Sequence, residues 1–120
     1  MEKDIVRQKS FDFALRVVDV YKLLCKEKKE FVLSRQLLRS GTSIGANTVE
    51  ANSSISIAEF SAKISIAYKE ARETCYWLRL LFHGRYLDEE TFKSMIGSSD
   101  ELCKILYSIL KSSGRIKQDD

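Results

Sequence analysis

Three glutamates are the residues best placed to do chemistry in this chain. Glu70 and Glu73 stand three apart, and Trp77 follows one turn later. On a helix that spacing puts them on one face. Glu50 lies on an earlier segment and could approach the same region. Carboxylates gathered between helices can hold a pair of metal ions or work as an acid–base pair. Di-metal sites of that kind need Glu-x-x-His, and Glu70-Ala71-Arg72-Glu73 carries no histidine. The expectation is therefore structural. The acids should pair with Arg39, Lys69, Arg72 or Arg79, or with Asn47, inside or between subunits, because an unpaired buried carboxylate is costly.

The other reactive residues point the same way. His83 is the only histidine and precedes Gly84, so it should interact with the last carbonyls of a helix. Cys25, Cys75 and Cys103 form no CxxC pair and lie on apolar faces. They read as buried, reduced thiols in a cytoplasmic protein. Gly41 and Gly45 follow no strand and precede no lysine, so they make no phosphate loop. No metal, no cofactor and no enzymatic activity is expected.

Charge leaves one binding function open. The net charge is +3 and the pI about 8.8, which is only mildly basic. Arg35, Arg39, Lys63, Lys69 and Arg72 are the candidate contacts to nucleic acid. Interleaved acids weaken the field of one subunit, but an oligomer would repeat the patch.

Helices must position these residues. The 120 residues suit one domain, 44% hydrophobic and 31% charged, with no proline to interrupt a helix. Residues 1–9 read as a flexible lead-in, with Ser10 as the first N-cap. Phe13, Val17, Val20 and Leu24 then recur at helical steps, and the charged run 26–30 reads as a solvated turn. A second helix starts near Phe31 or Ser34. Its row Leu37, Gly41, Ile44, Thr48, Ala51 keeps register through a stretch that composition alone would make a loop. The small residues there should admit a close neighbouring helix.

The third helix opens on a capping box, Ser56 and Glu59, with a staple between Ile55 and Phe60. It runs to about Phe82, and Gly84 suits the residue just past its end. The fourth is capped by Asp88, with a Leu87–Phe92 staple, and Gly97 could kink it. Residues 10–114 thus form an all-α, antiparallel up-down-up-down four-helix bundle, and 115–120 a disordered tail. The charged N-terminus lacks an apolar run after it, and no stretch is long and apolar enough for a bilayer.

The run Arg39-Ser40-Gly41-Thr42-Ser43-Ile44-Gly45-Ala46-Asn47, with Val49-Glu50-Ala51, resembles a helix-two signature. Glu59-Phe60, Lys63-Ile64, Ile66-Ala67, Lys69 to Thr74 and Tyr76 to Leu81 resemble the matching helix-three signature. The family is the four-helix bundle proteins, also called the 23S ribosomal RNA intervening-sequence proteins. The chain departs from the usual pattern at Thr48, where an aliphatic residue is common, and at Cys75, where an acid is common. The resemblance implies an antiparallel four-helix bundle. The family is similar to the accessory variability protein of diversity-generating retroelements. That likeness implies a homopentamer and association with nucleic acid. Gly41, Ser43, Gly45, Ala46, Asn47, Glu50, Glu70, Glu73, Tyr76 and Trp77 are then expected at helix-packing or subunit interfaces. The expected function is a non-enzymatic oligomeric bundle, associated with RNA or DNA as an accessory or assembly protein. The alternative is a structural or protein-docking adaptor that binds no nucleic acid.

Overall fold

The computed structural model describes residues 2–113, with side chains from Asp4 onward. They form four helices: α1 (Glu2–Lys26), α2 (Leu33–Asn52), α3 (Ile57–His83) and α4 (Glu89–Ser112). Each packs on its neighbours in sequence, and α1 also meets α4, which closes a bundle. One apolar core runs through it, with Phe13, Leu37, Ile64, Leu78 and Leu106 among its fully buried members.

The bundle starts earlier than the sequence suggests. Helix α1 begins at Glu2, so residues 2–9 are no flexible lead-in and Ser10 is no N-cap. Val6 is buried and extends the apolar row by a heptad ahead of Phe13. Ser10 is a buried interior residue whose hydroxyl donates to the Arg7 carbonyl at 3.0 Å and meets Thr48 Oγ1 at 3.3 Å. A polar residue on a core row conceals the start of a helix when its partner lies on another helix.

The turn after α1 is more than solvated charge. Lys29 takes a left-handed φ of 54°, and the Glu30 carboxylate then caps α2. It accepts from the N–H groups of Val32 (3.2 Å), Leu33 (3.1 Å) and Ser34 (2.7 Å). Partial burial works against ionisation of Glu30, but these donors and the Ser34 hydroxyl outweigh it and hold the pKa below its ordinary value.

Helix α2 runs unbroken through its small residues, and its close neighbour there is α1 of the same chain. A Cβ on Gly41 would lie 2.8 Å from a Val17 methyl, and one on Gly45 would lie 3.4 Å from the Ser10 carbonyl oxygen. Each interior glycine costs about 0.8–1 kcal/mol of helix propensity. The short interaxial distance it permits offsets that cost through dispersion contacts.

Helix α3 is capped by Ser56, whose hydroxyl accepts from Glu59 N–H at 3.0 Å. The expected staple does not form, because Ile55 is 94% exposed. At the other end Gly84 is not the left-handed residue, with φ at −76°. Arg85 takes that role at φ 71°. Tyr86 N–H reaches back to the Leu81 carbonyl at 2.8 Å and Arg85 N–H to Phe82 at 3.0 Å, which is a Schellman pattern. Gly84 is small for a different reason: a Cβ there would meet the Leu80 oxygen at 2.9 Å.

Asp88 caps α4 by accepting from Thr91 N–H at 2.7 Å. Leu87 is buried, and Phe92 stacks on Phe82 with centroids 4.3 Å apart. Helix α4 passes through Gly97 without interruption.

Candidate nucleic-acid interface

The acids named by the sequence sit on the α2–α3 face, and each has a base on it. The guanidinium of Arg39 bridges Glu70, at 3.0 Å, and Glu73. Indole Nε1 of Trp77 also donates to Glu73, at 2.8 Å. Glu50 stands apart from that cluster and takes Lys63 Nζ at 2.8 Å. That hydrogen bond, with the charge behind it, raises the Lys63 pKa. Two of the five candidate nucleic-acid contacts, Arg39 and Lys63, are therefore engaged by carboxylates. Arg35 and Lys69 are exposed. Among the described residues, no three His, Cys, Asp or Glu side chains gather where a metal ion could be held.

The small residues divide between packing and surface. Gly41 is buried against α1, Ser43 and Gly45 are half-buried, and Ala46 is exposed. Asn47 donates to the Ser43 carbonyl at 2.8 Å and so is spent within α2. Tyr76 is 54% exposed and meets Trp77 edge-on, with centroids 5.1 Å apart.

A second feature was not read from the sequence. A groove of about 730 Å³ lies between α3 and α4. Tyr68, Arg72, Tyr76 and Arg79 line one wall at steps of four, four and three, so aromatic and cationic groups alternate along one stripe. Lys104 and Tyr107 of α4 line the other. Tyr68 and Tyr107 approach to 5.9 Å between centroids, and Arg72 donates to the Tyr68 hydroxyl at 3.0 Å. Both acids of the groove are engaged. Glu73 is held by Arg39 and Trp77, and Asp100 accepts from Cys75 Sγ at 3.4 Å. Arg72, Arg79 and Lys104 outnumber Glu73 and Asp100, so the groove carries a modest excess of positive charge. Such a wall can offer charge to phosphates and flat faces to bases. The alternating stripe was the sequence signal for it, hidden because only apolar residues enter a periodicity count.

Of the sequence candidates, Arg72 and Tyr76 belong to this groove, with Glu73 at its rim. Arg39, Glu70 and Trp77 belong to the adjoining α2–α3 cluster, and Glu50 with Lys63 to a third position.

Among curated proteins none matches the sequence significantly. The chain is similar to a crystal structure from Bacteroides thetaiotaomicron VPI-5482, described as a protein of unknown function from the S23 ribosomal protein family. The two are 50% identical and superpose with a TM-score of 0.91, over 92% of this chain and 99% of the other. The family model of the 23S rRNA-intervening sequence protein matches residues 2–108. With that match over nearly its whole length, the chain belongs to the 23S rRNA-intervening sequence protein family.

Proposed function

We propose that this chain is a non-enzymatic, oligomeric helical bundle of the cytoplasm whose α3–α4 groove takes single-stranded nucleic acid. The observation that carries the reading is the alternation of Tyr68, Arg72, Tyr76 and Arg79 opposite Lys104 and Tyr107. Aromatic faces stack on any base, and cations follow the backbone, so binding would tolerate sequence. The family's link to an intervening sequence of 23S rRNA makes RNA the first strand to test.

The proposed topology is antiparallel, up-down-up-down. Contacts that rise along one helix and fall along the next support it: Ser10 with Thr48 and Cys25 with Ser34, Arg39 with Glu70 and Glu50 with Lys63, Tyr68 with Tyr107 and Phe82 with Phe92, Lys9 with Glu101 and Arg16 with Ser98. The proposed assembly is a homopentamer. Its support is the family resemblance, together with apolar side chains left on the outside, such as Phe11 and Leu15 on α1. Repetition of one modest groove around a ring raises avidity without any new contact.

The test is anisotropy of labelled single-stranded RNA and DNA of mixed sequence, titrated at low and high salt. Each phosphate neutralised contributes about −0.7 to the slope of log K against log salt. Arg79→Ala should weaken binding across all sequences and make the slope shallower by about that amount per subunit. Absence of binding at low salt removes the reading. The structural or protein-docking adaptor then stands in its place, favoured by exposed Ile55 and Ile57 at the α2–α3 turn.

A further inference from the structure

We infer that Asp100 of α4 makes the α3–α4 groove prefer guanine among the bases of a single strand. The inference rests on that groove being the nucleic-acid site proposed above, and it adds a preference to the tolerance that aromatic faces give. Asp100 lines the groove together with Tyr76, Arg79 and Lys104. The residue is exposed, yet its carboxylate turns toward α3, where Oδ1 accepts from Cys75 Sγ at 3.4 Å. Cys75 is buried, so this contact draws the carboxylate against the helix interface. The two acids of the groove differ in their partners. Glu73 is neutralised by Arg39 and also takes the Trp77 indole. Asp100 enters none of the ion pairs among the described residues.

The contacts between α3 and α4 fix an order along the groove. Tyr68 and Tyr107 meet at one level, with ring centroids 5.9 Å apart. Cys75 and Asp100 meet at another, seven residues further along α3. At 1.5 Å per residue the two levels are roughly 10 Å apart. Arg72 and Lys104 fall between them, Tyr76 stands beside the level of Asp100, and Arg79 lies beyond it. A strand along this row meets cations before and after Asp100, and a tyrosine ring near it. The carboxylate repels phosphate, so a nucleotide at that level turns its base toward Asp100 and its backbone away.

An ionised carboxylate only accepts hydrogen bonds, and its two oxygens take parallel donors best. Bases of a single strand expose their Watson–Crick edges for such contacts. Guanine presents two adjacent donors there, N1–H and the N2 amino group. Adenine and cytosine each present one amino group beside an unprotonated ring nitrogen, whose lone pair faces the carboxylate. Uracil presents one N–H between two carbonyl oxygens. Guanine alone satisfies both oxygens without opposing a lone pair. The thiol contact does not compete, because Oδ1 can accept a second hydrogen bond and Oδ2 is left for the base.

The experiment measures anisotropy of labelled uridine strands that carry spaced guanosines, or adenosines at the same positions, with the full chain at low salt. Spacing keeps the guanosines from associating, and the two purines offer similar stacking faces, so the ratio of affinities reports the base edge. The parent chain should bind the guanosine strand at least about fivefold more tightly than the adenosine strand. Asp100→Asn keeps the side-chain shape and an acceptor for the Cys75 thiol, and circular dichroism establishes that it is folded. That variant should bind the adenosine strand more tightly than the parent does, because a repelling charge is gone, while the guanosine preference collapses. Equal binding of the two strands by the parent overturns the inference and leaves the groove as a sequence-tolerant site. So does a preference that persists in folded Asp100→Asn, or a gain that is the same for both strands. If neither strand binds, the nucleic-acid reading of the groove falls and the inference falls with it.

Discussion

Arg85 pays a conformational penalty that a neighbouring glycine does not relieve. It holds the left-handed position at the end of α3, where an L side chain crowds the following carbonyl. Arg85→Gly should therefore raise stability by roughly 0.5–1 kcal/mol, read as a higher denaturation midpoint with an unchanged slope. A lower midpoint would mean that the Arg85 side chain contributes more than its backbone costs. Glu30 makes the opposite kind of contribution. Its folded pKa lies below its ordinary value of 4.5. A group with a depressed pKa gives stability that is complete above the ordinary value and is lost as pH falls through the folded one. Glu30→Gln should thus lower stability near neutral pH and flatten its decline below about pH 4.5. Equal loss at every pH would show that the cap acts without its charge.

At the scale of the element, the glycines of α2 and α4 make opposite predictions. Gly41→Ala drives a methyl group against Val17, and such overpacking costs about 1–3 kcal/mol. Gly97 has nothing within reach of an added Cβ and is exposed in mid-helix. Gly97→Ala should stabilise by about 0.8–1 kcal/mol. Thermal melts of the two variants beside the parent chain check both signs. Helical register was legible in the sequence wherever the core row is apolar, which is why α2 survived its own loop-like composition. It was illegible at Ser10, where the row is polar and satisfied by Thr48. It was silent on Glu30, whose capping bonds depend on the left-handed turn at Lys29 rather than on any spacing rule. The α3–α4 groove was half legible. Tyr68, Arg72, Tyr76 and Arg79 lie on one readable stripe, but Lys104 and Tyr107 join them only once α4 is docked.

At the scale of the whole molecule, the unused surface matters most. Phe11 and Leu15 lie one turn apart on α1 and are 60% and 53% exposed. If that apolar surface joins subunits, Phe11→Glu with Leu15→Glu should convert the proposed pentamer to monomer in a native mass measurement. The helical circular dichroism should persist, because neither residue belongs to the core. A pentamer that survives the double substitution would place its contacts on other faces of the bundle.

The hydroxyls at the helix crossings have one more consequence. Ser10 meets Thr48, Thr74 donates to Ser40 at 2.9 Å, Cys75 meets Ser99, and Arg16 reaches Ser98 at 2.9 Å. Every adjacent pair of helices therefore carries at least one polar match along its seam. Leucine against leucine would tolerate a slip of one turn, about 5.4 Å, since one apolar layer resembles the next. Here the same slip would strand hydroxyls against hydrocarbon at several levels at once. The seams work like the wards of a lock. They add little to the strength of the bundle, but they allow a single alignment of its four helices.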